Sequence, residues 1–162
     1  MKMNASTDYA IRMLIYLAEK NGIASSSELS RYLVISQRYL LQVGAKLRDA
    51  DMIKVTFGSE GGYQLISNPE DISIYDIIIL MEGTTFLVPS SAQAEDEIRN
   101  SHTINEVYQL LQSIWDGFLM GVTLDTMTNK SPEDIKALMT DQLTHRLSTI
   151  VKDVAEKMSL DI

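Results

Sequence analysis

Residues 55–65, which have the sequence VTFGSEGGYQL, decide the fold. Apolar and polar residues alternate from Ile53 to Phe57 and again from Tyr63 to Leu65, and a period of two is typical of a half-buried strand. The glycines between the two runs favour the positive φ angles of a turn. A glycine-rich loop that binds a nucleotide would carry a lysine and lead into a long helix. Here a strand follows the glycines, so a nucleotide-binding loop is set aside. The segment therefore predicts two short strands joined by a glycine-rich hairpin.

Three helices are predicted before the hairpin. Apolar residues recur with a helical period within residues 4–20, which indicates a first helix. Ser25 and Glu28 have the spacing of a capping box, so a short second helix should run to about Val34. Ser36 then caps a third helix after a tight connection. Two capped helices followed by a hairpin form the order of a winged helix-turn-helix, whose second motif helix enters the DNA major groove.

The third helix is the candidate recognition helix. At 100° per residue its apolar residues, including Leu40 and Leu47, share the face that we expect to be buried, and Arg38 and Gln42 point the opposite way. Guanidinium and amide groups can form paired hydrogen bonds with base edges, whereas Lys46, Arg48 and Lys54 suit phosphates. The alternative is an ordinary solvated helix face. The residues expected to contact DNA are Lys2, Ser36, Gln37, Arg38, Tyr39, Gln42, Lys46, Arg48, Lys54, Gly58 and Ser59.

The charge distribution is more informative than the total charge. The 162-residue chain has a formal net charge of −8, which taken whole argues against a nucleic-acid partner. Residues 1–68 hold eight Lys/Arg against six Asp/Glu, a net charge of +2, and residues 69–162 hold six against sixteen, a net charge of −10. A value of +2 is nearly neutral, and it supports DNA binding only because several of the cations lie on and after the third helix.

The composition bounds the function class. Hydrophobic residues make up 45% of the chain, enough for one globular unit with a real core. The longest apolar stretch, residues 77–81, is too short to span a bilayer, and the start lacks a signal-peptide apolar region, so we expect a cytoplasmic protein. The absence of cysteine excludes disulfides, thiolate metal sites and cysteine-held iron–sulfur clusters. No catalytic motif is present, so we expect no enzyme activity.

Seven short motifs carry a family resemblance. They are MKM at 1–3, STDYAIR at 6–12, ISQRYL at 35–40, GSEGGYQL at 58–65, ISIYDII at 72–78, IW at 114–115 and VTLD at 122–125. Together they resemble the Rrf2 family of bacterial transcription regulators, and the resemblance covers roughly residues 1–129. It implies a homodimer that binds pseudo-palindromic promoter DNA, usually as a repressor, with one recognition helix per half-site.

Three positions depart from the family pattern. Many relatives hold an iron–sulfur cluster with three cysteines in the loop after the fourth helix, whereas residues 82–95 contain none, so we expect no cofactor. Relatives commonly have an arginine before the first wing glycine, where this chain has Phe57. An acidic residue is common in the third helix of cluster-bearing relatives, and Leu41 occupies that position. The operator sequence of relatives therefore does not transfer.

The remaining chain is predicted to be helical scaffold. Ser73 should cap a fourth helix, which gives a mainly α fold with a β-hairpin wing: DNA-binding domain 1–82, loop 83–100, dimerisation helix and a short following helix 101–129, and a C-terminal helical extension 130–162. The extension begins with a serine cap at Ser131 and forms one long helix or two, packed on the dimerisation helix or free for a partner. The expected dimerisation residues are Val107, Leu111, Ile114, Trp115, Phe118 and Leu119.

A pocket for an apolar effector is the remaining candidate site. It would be lined by Tyr75, Phe86, Val88 and Tyr108, although such residues more often seal a core. The histidines, His102 and His145, have no nearby partners in sequence, so we expect no metal site. Two hypotheses remain open: a DNA-binding dimeric repressor controlled by an effector, a partner protein or its own abundance, and a winged-helix module that works through protein contacts or ligand sensing without specific DNA binding.

Overall fold

The computed structural model describes residues 3–85 and 101–160, with side chains described at 3–85, 107–150 and 152. The described chain is mainly helical and carries one two-stranded antiparallel sheet, which confirms the predicted fold class. The elements are α1 (Ala5–Lys20), α2 (Ser26–Leu33), α3 (Gln37–Asp49), β1 (Ile53–Thr56), β2 (Gly62–Leu65), a 3-10 turn (Pro69–Asp71), α4 (Ile74–Glu82), α5 (Ser101–Gly121), α6 (Leu124–Asn129) and α7 (Pro132–Leu160).

The hydrophobic core surrounds α1. This helix contacts α2, α3, α4, α6 and β2, and its inward residues repeat at intervals of three and four, as a buried helix face requires. Because α1 lies at the centre, it fixes α3 and the hairpin relative to each other. The fully buried residues of this core with the largest side chains include Met13, Leu14, Leu17, Leu29, Leu40, Leu47, Ile53, Tyr63, Ile77 and Leu124.

The helix-turn-helix forms as the capping signals predict. The Ser25 hydroxyl accepts from the Glu28 amide at 3.2 Å, which with the reciprocal bond from the Ser25 amide to the Glu28 carboxylate completes a capping box. The Ser36 hydroxyl accepts from the Tyr39 amide at 3.2 Å and starts α3. Between the helices, Val34 ends α2 in the left-handed region with φ 56°. Local hydrogen bonds thus set the angle between α2 and α3.

The hairpin packs against two other parts of the fold, the segment before α2 and helix α3. The strands pair with Val55 opposite Tyr63, and Tyr63 also exchanges backbone hydrogen bonds of 2.8 and 2.9 Å with Ala24, ahead of α2. The Tyr63 ring is buried against Gly44 of α3, where an added Cβ would lie 2.6 Å from the ring. The wing is therefore held against both the start of α2 and the recognition helix.

The structure refines two details of the predicted hairpin. Gly58, Gly61 and Gly62 all permit the positive φ angles of a turn, and the structure uses this freedom among them only at Gly58, with φ 117°. Gly62 is required for a different reason, because an added Cβ would lie 2.2 Å from the Ala24 carbonyl oxygen. Phe57 was expected in the first strand, whereas β1 ends at Thr56 and Phe57 lies in the connecting loop.

The end of α4 is the junction of the fold. The Glu82 carboxylate accepts from the backbone N–H of Asn4 at 2.9 Å and from the Thr7 hydroxyl at 2.7 Å, which joins the start of α1 to α4. Beyond α4, the side chain of Thr85 donates to Asp116 of α5, and Gln112 donates to the same carboxylate at 2.8 Å. These bonds connect the winged-helix domain to α5.

The C-terminal extension is one helix, α7, which packs antiparallel on α5. Gln142 donates to the Gly121 carbonyl at 3.2 Å, and Arg146 donates to the Ser113 carbonyl at 3.0 Å. Side chains of α7 occupy the space that a Cβ on Gly117 or Gly121 would take, so these glycines allow the close approach. No helix in the described part of the chain has the length and hydropathy to cross a membrane.

Candidate nucleic-acid interface

The exposed face of α3 carries polar groups with no intramolecular partner. Gln37, Arg38 and Gln42 are all exposed, and none forms a hydrogen bond or ion pair with the described residues. The opposite face, with Leu40, Val43, Gly44 and Leu47, is buried as predicted. A rigid, packed helix therefore presents one guanidinium and two amides to solvent, the groups that pair with base edges in the major groove.

Other predicted contacts on α3 are already engaged within the protein. The Ser36 hydroxyl caps the helix, and the half-buried Tyr39 ring packs edge-on against Tyr9 with centroids 5.7 Å apart. Arg48 pairs with Asp49 at 2.7 Å in an exposed ion pair, which is weak enough for a phosphate to displace. These three residues have contacts within the protein, and their contacts with DNA stay a prediction.

Lys46, which is predicted to contact a phosphate, forms a hydrogen bond within the protein. Its ammonium donates to the Met81 carbonyl oxygen at 3.1 Å, close to the C-terminus of α4. Free carbonyl groups and the helix dipole both favour a cation at this position. Lys46 is an exposed residue, and in this conformation its ammonium joins α3 to α4. Helical periodicity could not reveal this contact, because its partner lies 35 residues away in sequence.

The wing presents few charges. Lys54 is exposed on β1 opposite Gln64 and forms no ion pair with the described residues. Gly58 and Ser59 lie exposed in the connecting loop, together with Glu60. Lys2, also predicted to contact DNA, lies outside the described residues. The cation that the structure leaves available on the hairpin is therefore Lys54.

Exposed apolar side chains lie beside these polar groups. Val34, Phe57 and Leu41 are 86%, 85% and 57% exposed, the three highest values among the large apolar side chains described. They lie in the turn before α3, in the wing loop and on α3 itself. The residues predicted to contact DNA do not include Val34 or Leu41. The signal was present, since Leu41 follows Arg38 by three residues and so shares its side of the helix.

The contact between α1 and α2, here called the α1–α2 tie, is ionic. Glu28 accepts from both Lys20 and the Tyr16 hydroxyl, while its carboxylate also serves the α2 capping box. The Lys20 hydrogen bond, then the Tyr16 bond, lowers the pKa of Glu28, and the same carboxylate raises the pKa of Tyr16. This cluster joins α2 to α1.

The expected dimerisation residues divide into two groups. Val107 and Leu111 on α5 are 43% and 49% exposed, while Ile114, Trp115 and Phe118 are half-buried, with the Trp115 and Phe118 rings stacked at 5.9 Å. Leu119 is only 4% exposed within the single chain, so it packs inside the protomer. The assignment of Leu119 to a dimer surface is corrected, because no free apolar area remains there.

The predicted effector pocket is only partly described. Tyr75 and Tyr108 are half-buried, and Phe86 and Val88 lie outside the described residues. Two clefts of about 530 and 370 Å³ open along α7, and neither is lined by Tyr75 or Tyr108. The smaller cleft lies between α5 and α7. The effector pocket therefore stays a prediction.

Comparison with known proteins assigns these features to a family. The model of the Rrf2 family, described as an iron-dependent transcriptional regulator, matches residues 3–130. The chain is 31% identical over 121 residues to the HTH-type transcriptional regulator IscR of Cereibacter sphaeroides, which spans 72% of this chain and 76% of IscR. It is 35% identical over 85 residues to the HTH-type transcriptional regulator CymR of Bacillus subtilis, which spans 51% of this chain and 62% of CymR.

Solved structures with the same fold extend over most of the chain. The oxidized form of Staphylococcus aureus CymR superposes with a TM-score of 0.65 and 28% identity, over 81% of this chain and 98% of that chain. The IscR of T. potens superposes with a TM-score of 0.63 and 26% identity, over 78% of this chain and 85% of that chain. The family match ends at residue 130, so α7 lies beyond it.

The chain lacks the donor groups of a thiolate-held iron–sulfur cluster, although the family description names iron dependence. A thiolate-held cluster needs cysteine, and none of the 162 residues is a cysteine. Within residues 3–85 and 101–160, no group of three or more His, Asp or Glu residues is placed to hold a metal ion. The feature shared with the solved relatives is the winged-helix fold.

Proposed function

This chain belongs to the Rrf2 family of transcriptional regulators, and on that premise we propose that it is a homodimeric repressor that binds a pseudo-palindromic promoter site without an iron–sulfur cluster. The observation that carries the proposal is the exposed face of α3, where Gln37, Arg38 and Gln42 have no hydrogen-bond or ion-pair partner among the residues that the structure describes. Unpaired donors on a rigid helix are ready to meet base edges without first breaking protein contacts.

The elements around α3 support this mode of binding. Lys54 on the hairpin supplies a positive charge beside the recognition helix, and phosphate contacts fix the orientation of a DNA-binding domain without reading sequence. Arg38 is the residue proposed to recognise a base, because its fork of donors matches the acceptors of guanine. Tyr63, packed on Gly44, holds the wing at a constant position relative to α3.

Homodimerisation is proposed through α5. Val107 and Leu111 leave an apolar face of α5 exposed in the single chain, and the half-buried residues Ile114 and Phe118 continue it. Pairing this face with the same face of a second copy would remove it from water with two-fold symmetry. Such a dimer would present two recognition helices about 34 Å apart, one turn of DNA.

Fluorescence anisotropy tests the DNA-binding part of the proposal. Purified protein should bind the promoter DNA upstream of its own gene about a hundredfold or more tighter than a scrambled duplex at physiological salt. Arg38→Ala should cost about 1 to 3 kcal/mol on the promoter and much less on the scrambled duplex, because base contacts carry the specificity. Lys130→Ala, which removes an exposed cation after α6, is the matched control and should leave the preference intact.

Equal and weak binding to both duplexes that disappears with added salt would contradict sequence-specific recognition. That result would favour the module that works through protein contacts, a role for which the 85% exposed Phe57 provides a contact. Repression itself is tested in cells: deletion of the gene should raise transcription from the bound promoter. A fall in transcription would identify an activator.

Sedimentation equilibrium tests the dimer. Leu111→Glu places a carboxylate on the exposed apolar face of α5 and should convert the dimer to monomer, because an unpaired charge is costly to bury. Gln109→Glu introduces the same charge at another exposed position of this helix and should leave the dimer intact. Dissociation by both variants, or by neither, would contradict dimerisation through this face.

Cluster independence has its own measurement. DNA binding by protein purified under anaerobic conditions should be unchanged by a strong iron chelator, since the chain supplies no thiolate ligand. The iron content of the same preparation should be far below one ion per chain. Loss of promoter binding on chelation, restored by added iron, would contradict this part of the proposal.

A further inference from the structure

We propose that Leu41 recognises thymine methyl groups in the major groove and thereby makes the operator depend on thymine at one position of each half-site. The proposal rests on the proposed function and assigns a specificity residue to it. Leu41 is 57% exposed and lies in the middle of α3. Of the large apolar residues described on α3, the others, Leu40, Val43 and Leu47, are buried.

The position of Leu41 is that of a base-contacting residue. It follows Arg38 by three residues and precedes Ala45 by four, so the three share one side of the helix. Arg38 and Gln42 are exposed and free of partners, so any surface that meets Leu41 also meets these polar groups. Leu41 and the smaller Ala45 therefore form an apolar strip beside base-pairing donors.

DNA offers a matching apolar group in the major groove. Thymine presents its C5 methyl there, whereas cytosine presents only a hydrogen at the same carbon, and apolar side chains contact this methyl directly. An exposed leucine without a partner gains nothing in the free protein, but covering it with a methyl group removes apolar area of both from water. Leucine at this position thus distinguishes thymine from cytosine through apolar contact rather than through charge.

The surroundings favour nucleic acid over a protein partner for this strip. Arg38 adds a positive charge one turn before Leu41, and Lys54 adds another on the hairpin. No acidic residue occurs on α3 before Asp49, which pairs with Arg48. A protein-binding surface of this kind would need a larger continuous apolar area, and the exposed Val34 and Phe57 lie in the turn before α3 and in the wing loop rather than on α3. A thymine methyl needs a single side chain.

The experiment removes the methyl group and leaves every hydrogen bond in place. Each thymine of the promoter site is replaced in turn by deoxyuridine, and affinities are measured for the wild type, Leu41→Ala and Arg38→Ala. For the wild type, one thymine per half-site should weaken binding about fourfold when replaced, the value of one buried methyl group. For Leu41→Ala the thymine and deoxyuridine sites should bind equally, while Arg38→Ala should keep the fourfold ratio.

Leu41 is exposed, so Leu41→Ala should fold normally, and an unchanged thermal melting curve serves as the control. Specific promoter binding that is insensitive to every deoxyuridine would overturn the role of Leu41 and leave the regulator intact. A thymine preference that survives Leu41→Ala would assign the methyl contact to another residue and also overturn it. Absence of specific promoter binding by the wild type would refute the proposed function, and this inference with it.

Discussion

Val34 connects α2 and α3 with a backbone conformation that a β-branched residue rarely adopts. Its φ of 56° lies in the left-handed region, where the side chain crowds the neighbouring carbonyl. Its side chain is 86% exposed, so burial against the residues that the structure describes offsets little of this strain. The conformation is imposed by the closure around it, since the Ile35 amide bonds to the Ser30 carbonyl at 3.1 Å and the Ser30 hydroxyl donates to the Ile35 carbonyl.

Replacement of Val34 by glycine should stabilise the protein. The left-handed region costs an L-residue roughly 1 to 2 kcal/mol, and glycine loses part of this gain through its larger unfolded-state entropy. We expect the free energy of unfolding to rise by about 0.5 to 1 kcal/mol in urea titration. Val34→Ala is the matched control, because it retains a Cβ and should show no comparable gain. Destabilisation by Val34→Gly would mean that the valine side chain makes a contact in the folded protein.

At the scale of elements, the hairpin depends on a close backbone approach. The Ala24 bridge to Tyr63 brings the start of α2 so near to β2 that only glycine fits at position 62, where an added Cβ would lie 2.2 Å from the Ala24 carbonyl oxygen. Backbone atoms cannot move aside as a flexible side chain can. The hairpin position relative to α3 is therefore set by this glycine as well as by the Tyr63 ring.

Gly62→Ala should lower the free energy of unfolding by about 1 to 3 kcal/mol, the cost of forcing extra atoms into a packed site. The measurement is urea unfolding followed by circular dichroism. Gly22→Ala is the control, since its Cβ would meet its nearest neighbour at an ordinary 3.7 Å. Equal stability of the two variants would indicate that the Ala24 bridge opens readily.

The α1–α2 tie predicts a pH dependence. Hydrogen bonds from Lys20 and Tyr16 lower the pKa of Glu28 in the folded state, so its contribution to stability is present above the unfolded-state pKa of about 4.3 and is lost as pH falls through the lower folded value. Glu28→Gln keeps a side chain able to complete the capping box but removes the charge. Below about pH 4.3, the wild type should therefore lose stability more steeply than this variant in pH-dependent urea titrations. If the free energy of unfolding of both proteins fell equally steeply below this pH, the charge of Glu28 would make no net contribution to stability.

The elements were predictable where their signals are local. Serine caps at Ser25, Ser36 and Ser73, together with apolar periodicity, gave the helices of the winged-helix domain, because capping and amphipathicity act within a few residues. The turn of Lys46 toward Met81 and the need for Gly62 were not predictable, because each depends on a partner distant in sequence. The same holds for the candidate interface: exposure of Arg38 follows from helical geometry, but the bond of Lys46 to the Met81 carbonyl does not.

At the scale of the whole molecule, stability should be uneven. The core residues of α1 are fully buried, whereas none of the described side chains of α7, at 132–150 and 152, is buried. The bonds of Gln142 and Arg146 to carbonyls of α5 are among the few that hold α7 in place. Segments with little buried apolar area open at lower free energy than the core.

Hydrogen–deuterium exchange should resolve this difference. Amides of α7 should exchange well before those of α1, α3 and α4 in the isolated protein. Removal of the guanidinium in Arg146→Ala should accelerate exchange in α7 and leave α1 unchanged, while Lys136→Ala, an exposed change on the same helix, should alter neither. Protection of α7 equal to that of α1 would mean that a second copy covers this helix in solution.

The overall architecture followed from the sequence less completely than its parts. The order of elements indicated a winged helix-turn-helix with an added helical region, but the sequence left open whether residues 131–162 form one helix or two. Their packing depends on Gly117 and Gly121, which admit side chains of α7 to the surface of α5. A pair of glycines four residues apart within a helix has several explanations until the facing helix is known, so this contact required the structure.

The construction of the wing has a consequence for how such a protein can change its target. Residues 61–63 are constrained by neighbouring backbone and by the Gly44 surface, whereas Phe57 to Glu60 are exposed and, apart from the turn at Gly58, meet no such limit. Mutations at the tip can therefore accumulate at little cost to folding, and each alters only what the wing offers to a bound molecule. The hairpin thus separates the residues that maintain the fold from those that are free to vary, so the surface of the wing can change in a chain that still folds.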